Sequence, residues 1–159
     1  MPAIVTTVPA VLLALVQLGQ AALPGVEVLD GAPDTDNELP EFLSIGWTRD
    51  EEDAAVDGST ADEGNYSASE AYAVHCILSV ATGDTEGGAV VARRARCAEL
   101  FGAFAGALRS NPTLGGVLTA GGRAELGPWS WIYGPSSQGG TYAEVEFDVN
   151  VSAGYLGMT

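Results

Sequence analysis

The sequence predicts an α+β domain, with one antiparallel β-sheet packed against an N-terminal helix and one long central helix. Three observations carry that prediction. Residues 70–80 alternate in the manner of a strand, then pass through a glycine-containing turn (Gly83, Gly87, Gly88) into an Ala-rich helical stretch from Ala89 to Leu108. The helical stretch breaks at Asn111-Pro112-Thr113-Leu114-Gly115-Gly116. Residues 141–151 then alternate strictly, the cleanest strand pattern in the chain. A chain of 159 residues is expected to form a single domain over 1–159, long enough to bury a core without staples.

Each element has its own reasons. Thr6 or Thr7 is placed to cap a first helix, and Pro9 fits its first turn. Val8, Leu12, Leu15, Val16 and Ala22 recur at helical spacing until Pro24-Gly25 stops them. Val26 to Leu29 reads as a short strand, Asp30 to Pro40 as a connection and Phe42 to Trp47 as the next strand. Residues 50–69 are acidic, small and nearly devoid of large apolar groups. Such a segment buries too little area to offset its ordering entropy. A long mobile hairpin or loop is expected at 50–69, between two strands that still pair.

The strand from Glu70 puts Tyr72, Val74, Cys76, Leu78 and Val80 on one face. Ala71, Ala73, His75 and Ile77 make the other face apolar enough for a central strand. The long helix has a stripe of Val90, Cys97, Phe101, Phe104 and Leu108. Its other side offers Ala95, Gly102 and Gly106, which suggest close approach by another backbone. Packing onto the chain's own sheet is the favoured reading over packing across a subunit boundary. Trp129 to Tyr133 and the alternating strand form a final hairpin around the loop Gly134 to Gly140. Ala143, Val145, Phe147, Val149 and Val151 are expected to face in, and Tyr142, Glu144, Glu146, Asp148 and Asn150 to face out.

Charge narrows the function classes. The six basic residues are all Arg, against 21 acids, for a net charge of −15. Without lysine there is no Schiff-base lysine, no P-loop lysine and no Ser-Lys dyad. The acidity opposes gripping DNA by its phosphates. It is compatible with DNA passing a like-charged wall without sticking, and equally with plain solubility. The two cysteines, Cys76 and Cys97, are no disulfide framework and read as buried free thiols. The apolar run Val11 to Leu18 follows no basic residue and is interrupted by Gln17, Gly19 and Gln20. It reads as an amphipathic helix of a cytoplasmic protein rather than a secretion signal. No stretch approaches the ~20 apolar residues of a membrane span.

Motifs for chemistry are incomplete. Asp34, Asp36 and Glu38 have the spacing of a calcium loop, but Leu39 and Ile45 stand where Gly and Glu are needed. A second frame from Asp53 places Gly58 well but puts Ala55 and Gly64 at ligand positions. His75 and Cys76 are adjacent on a strand and point to opposite faces, so they do not share a metal easily. His75 reads as structural. The Gly134-Pro135-Ser136-Ser137-Gln138-Gly139 run is too long for a nucleophile elbow. The turn 82–88 sits where phosphate loops sit, but Asp84 and Glu86 would repel a phosphate and instead favour the positive helix end. Arg93, Arg94 and Arg96 read as a solvated helix face or as partners for acids on a neighbouring chain. No catalytic, cofactor or metal residue is assigned, and no enzyme activity is expected.

The element order, with the helix ending in Asn111-Pro112-Thr113-Leu114-Gly115-Gly116-Val117 and the alternating closing strand, resembles the tail terminator, or tail completion, proteins of lambda-like siphophages. The resemblance covers nearly the whole chain. It implies a subunit of a homo-hexameric ring that caps the tail tube, stops its polymerisation and forms the head–tail joining surface. Its partners would be its own copies, the tail-tube protein and a head-completion or neck protein. DNA would pass through the ring without specific binding, and no membrane would be involved. The place would be the tail–neck junction of the virion, after assembly in the host cytoplasm. Asp50, Glu51, Glu52, Asp53, Asp62 and Glu63 would then be candidates for an acidic loop along the DNA path. The alternatives are another neck, connector or tail-tube protein of the virion, or a monomeric acidic binding module.

Overall fold

The structure is a computed structural model; it describes residues 5–34, 40–64, 67–119, 121–137 and 139–153, without the side chains of Glu63 and Ser67. Helices α1 (Val8–Ala22) and α2 (Ala89–Ser110) lie on one face of a six-stranded sheet. The strands are β1 (Glu27–Asp30), β2 (Glu41–Ile45), β3 (Val56–Gly64), β4 (Ser67–Thr82), β5 (Arg123–Pro135) and β6 (Thr141–Ala153). The sheet runs β1-β2-β4-β6-β5, with β3 also paired to β4. All pairs are antiparallel except β1 with β2, which is parallel.

The sixteen-residue β4 organises the sheet. β6 pairs along one of its edges from Glu70↔Ala153 to Thr82↔Thr141. The other edge is shared: β2 takes Cys76 to Val80 and β3 takes Ser67 to Val74. The core lies between sheet and helices. Val11, Leu15, Leu43, Ile45, Val74, Leu78, Val80, Cys97, Phe104, Leu108, Val145 and Val149 are fully buried there, each large apolar side chain contributing about 1.5–3 kcal/mol.

The α+β prediction holds, with differences of detail. In 50–69, expected as a mobile hairpin or loop, residues Val56–Gly64 form strand β3. Apolar content is not what places it there. β4 extends past β2 and leaves a run of backbone groups open, and β3 satisfies them. Gly58 makes the approach possible, since a Cβ there would stand 2.3 Å from the Tyr72 Cβ and 2.5 Å from the Ala71 carbonyl oxygen. Residues 65 and 66 lie outside the described residues.

The His75 N–H donates to the Ala55 carbonyl at 3.0 Å. By antiparallel alternation, the amides of Asp57, Ser59 and Ala61 then point at β4, and those of Gly58, Thr60 and Asp62 point away. Hydrogen exchange is expected to show protection at the first three and at 72–80 and 143–151, with rapid exchange at Gly58, Thr60 and Glu51. Uniform protection along β3 would mean that something covers its open edge.

Three other expectations change. Thr7 stands at the N-cap of α1 but makes no side-chain cap bond; its hydroxyl turns to Glu70 instead. Ala95, Gly102 and Gly106 are exposed, and a Cβ at either glycine would meet nothing within 4 Å, so they do not pack on the chain's own sheet. The stripe of α2 that does bury is Ala89, Cys97, Leu100, Phe104 and Leu108, with Phe101 half-buried. The Asn111–Gly116 break holds Leu114 in the left-handed region, φ 53°, with its side chain buried. Asn111 Oδ1 steadies it by accepting from the Gly115 N–H at 2.9 Å.

Candidate functional site

The face of the sheet away from the helices carries the polar side of β6, the His75 side of β4 and Ser130 and Ile132 of β5. The β2–β3 connection, 46–55, lies over part of it and leaves an open groove of about 560 Å³. Strand period two sets what lines this groove: Glu146 and Asp148 from β6, His75 and Ile77 from β4, and Ser130 from β5. The connection adds Trp47, Arg49, Asp50 and Asp53, and β3 adds Asp57. Trp129, 57% exposed, stands at the β5 rim.

Two polar pairs lie on this face, a His–carboxylate hydrogen bond and an Arg–Glu ion pair. His75 Nδ1 pairs with Asp148 directly across the β4–β6 ladder. Arg49 reaches back over the sheet to Glu144, its Nε donating to Oε2 at 3.2 Å, while the Ser79 hydroxyl donates to the same carboxylate at 3.0 Å. The Arg49 guanidinium also lies 5.4 Å from the Trp47 ring centroid. Glu144, expected to face solvent, is therefore only 7% exposed. It does point away from the helices, but the 46–55 connection covers it. Among the described residues, no hydroxyl or thiol bonds the His75 ring.

The six acids singled out in the sequence are only partly gathered. Asp50 and Asp53 line the groove. Asp50 also shapes its own turn, accepting at Oδ1 from the Glu52 N–H at 3.0 Å and at its carbonyl from the Thr48 hydroxyl at 2.6 Å. Glu51 and Glu52 are exposed and do not line it. Asp62 is exposed on β3 and accepts from the Gly64 N–H at 2.9 Å. Glu63 lies in β3 with its side chain outside the described set. The acids that complete the groove, Asp57, Glu146 and Asp148, come from strands.

No group of three or more His, Cys, Asp or Glu among the described residues is placed to hold a metal. Of the calcium-loop residues, Asp36 and Glu38 lie outside the described residues. Asp84 Oδ1 accepts from the Glu86 N–H at 2.9 Å, and neither acid is in the first turn of α2, which starts from Gly88. They shape the turn rather than cap the helix. Cys76 and Cys97 are buried free thiols, each pushed up to about 12 chiefly by burial. A thiol so placed is a poor nucleophile at neutral pH.

The arginine group is not a solvated face. Arg96 donates to Glu41 of β2 at 2.7 and 3.1 Å and contacts Glu99 at 3.2 Å. Arg94 lies 4.7 Å from the Tyr133 ring centroid. Arg93 Nε is buried without a hydrogen-bond partner among the described residues. The Arg96 hydrogen bond holds the Glu41 carboxyl below its ordinary range, against the opposing effect of burial. Its stabilisation is therefore complete above the ordinary carboxylate range and is lost as pH falls through the depressed value. Glu41→Gln is expected to cost roughly 0.5–1 kcal/mol at pH 7 and to flatten the acid limb of stability, measured as urea midpoints from pH 7 to pH 3. An unchanged acid limb would place that pH dependence elsewhere.

No family model matches the chain, and no match is found among curated proteins.

Proposed function

We propose that this chain is a structural virion protein of the siphophage tail-terminator type, a ring subunit that caps the tail tube, stops its growth and offers the joining surface for the head. The observation that carries this reading is the order of elements around one sheet. Helix α1, two short strands, the long strand β4, helix α2, the Asn111–Gly116 break and the closing hairpin β5–β6 follow one another as the resemblance requires. β3 stands where that pattern has only a long loop. The open edges of β5 and β3 and the exposed small-residue side of α2 supply surface for neighbours.

The acids fit passage of DNA rather than its capture. The chain carries 21 acids against six arginines, and Arg49, Arg96 and Arg123 are already paired with carboxylates. Few free cations remain for phosphates. No DNA binding is expected even at low salt, where phosphate contacts are strongest.

Mass spectrometry and imaging of purified virions test the proposal. A six-membered ring at the tail–neck junction is the expected result, and absence of the chain from purified particles overturns it. The acidic groove with Trp47 favours a second reading, a monomeric module that takes a cationic segment. A module would remain at 16.3 kDa in every assembly state.

A further inference from the structure

We infer that the open edge of β5 binds a second copy of this chain along that copy's β3, so that the sheets of neighbouring subunits continue into one another head to tail. The inference deepens the ring reading and rests on it for closure of the ring, while the pairing itself rests on the edges.

Among the described residues the thirteen-residue β5 pairs with no strand but β6, and of its outward amides that of Ala124, near its start, donates to the Pro112 carbonyl at 2.7 Å. The Ser136 N–H donates to the Gly140 carbonyl at 2.9 Å, which closes the hairpin on a hydrogen-bonded pair. By alternation the amides of Ser130, Ile132 and Gly134 point at β6, and those of Trp129, Trp131 and Tyr133 point out of the sheet edge. Trp129, Ile132 and Tyr133 are 57%, 42% and 49% exposed. A register shift between Leu126 and Trp129, with Pro128 beside it, and Pro135 at the far end bound the open stretch. Between them nothing blunts it: there is no charge from Trp129 to Gly134.

Strand direction and charge select the occupant. β3 runs antiparallel to β4, and β5 runs parallel to it by way of β6. In a head-to-tail arrangement β5 of one copy therefore meets β3 of the next antiparallel, the more stable pairing per residue. β3 turns Gly58, Thr60 and Asp62 amides outward, as described above. The charges are complementary. Exposed Asp57 and Asp62 lie on β3, with Asp50, Glu51, Glu52 and Asp53 just before it. Arg94 lies over Tyr133 in the open stretch, while Arg123, at the start of β5, is already paired with Glu125. An unrelated strand would satisfy the amides of β5, but the matching acidic edge is on this same chain.

Two surface variants test this in the full chain. Trp129→Glu with Ile132→Glu repels the acidic edge from β5. Asp57→Lys with Thr60→Lys and Asp62→Lys reverses the charge of β3 where it meets Arg94. All five side chains are exposed, and circular dichroism with thermal melts checks that both variants fold. In sedimentation velocity the wild-type chain is expected to associate, and each variant alone to associate at least tenfold more weakly. An equal mixture is expected to associate again, because each variant keeps the edge that the other has lost and the two altered edges, one acidic and one basic, attract each other. A mixture that stays monomeric overturns the inference. So does a wild-type chain that remains at 16.3 kDa at its highest soluble concentration. Undiminished self-association of the β3 variant also overturns it and assigns β5 to β5 pairing. The ring reading fails separately, if the chain is missing from virions while the edges still pair in solution.

Discussion

Phe147→Ala is expected to destabilise the fold by about 3–5 kcal/mol, the largest effect of any single truncation on β6. Phe147 is 3% exposed and sits where the sheet meets α2. Its ring centroid lies 5.2 Å from that of Phe101 and 5.6 Å from that of Phe104, and Phe101 in turn meets Trp131 edge-on at 6.3 Å. Truncation opens a cavity inside a chain of aromatic contacts that spans β6, α2 and β5, so neighbours cannot collapse into it without giving up one another. Glu146, the preceding residue, points the other way into the open groove. Its backbone is held in the sheet, but its carboxylate accepts no hydrogen bond from a described residue. Glu146→Ala is expected within about 0.5 kcal/mol of neutral. Urea denaturation of both variants decides the matter. Comparable losses would mean that the groove face is covered, as at a contact between subunits.

Glu70→Ala is expected to cost about 2–3 kcal/mol. Its carboxylate, 8% exposed, stands at the N-terminus of α1, where the helix has unpaired N–H groups and the positive end of its dipole. It accepts from the Thr7 N–H at 2.6 Å, the Thr7 hydroxyl at 2.5 Å and the Thr6 hydroxyl at 2.9 Å. The Thr7 hydroxyl also lies 2.9 Å from the Tyr72 hydroxyl. A carboxylate on the sheet thus does what a capping side chain on the helix would do, and it ties α1 to β4. Removing it strands several donors in a half-buried place. Glu70→Gln keeps an acceptor and loses the charge, so a loss of about 1 kcal/mol is expected. Thermal melts of both variants, with far-UV circular dichroism to follow α1, check the order. A Glu70→Ala variant as stable as wild type would mean that water replaces the carboxylate freely.

The elements that bury a face were readable because burial imposes a period. The alternation at 141–151 located β6 and named five of its inward residues, a face that Ala153 continues. The Ala89–Leu108 stretch located α2 to within two residues. Period says nothing about what an exposed strand pairs with, and β3 was hidden for that reason: it exists because β4 is longer than β2. The groove was hidden in the same way. His75 and Asp148 are adjacent only in the β4–β6 register. Glu144 is buried only because Arg49 folds back from a connection whose path no local pattern encodes. The arginines of α2 found their acid on β2 of the same chain because the sheet brings Glu41 beneath the helix, a placement that sequence spacing does not reveal.

The division of labour along β4 bears on how the chain folds. β2 and β3 both precede β4 in the chain, so one edge of that strand closes with near neighbours, at little loop-closure cost. The opposite edge waits for β6, with the whole of α2 and β5 in between. Topologies dominated by such distant pairings fold slowly. On a ribosome, the β1–β4 segment would emerge with one side of its longest strand bare until residue 153 had cleared the exit. During that interval the inner face of β4, with Val74, Leu78 and Val80, also lacks β6 beside it. α2 lies next in sequence and packs on β4 directly. It is the element positioned to shield that surface first, and substitutions that weaken α2 should therefore show up as aggregation during synthesis before they show up as lost stability of the finished protein.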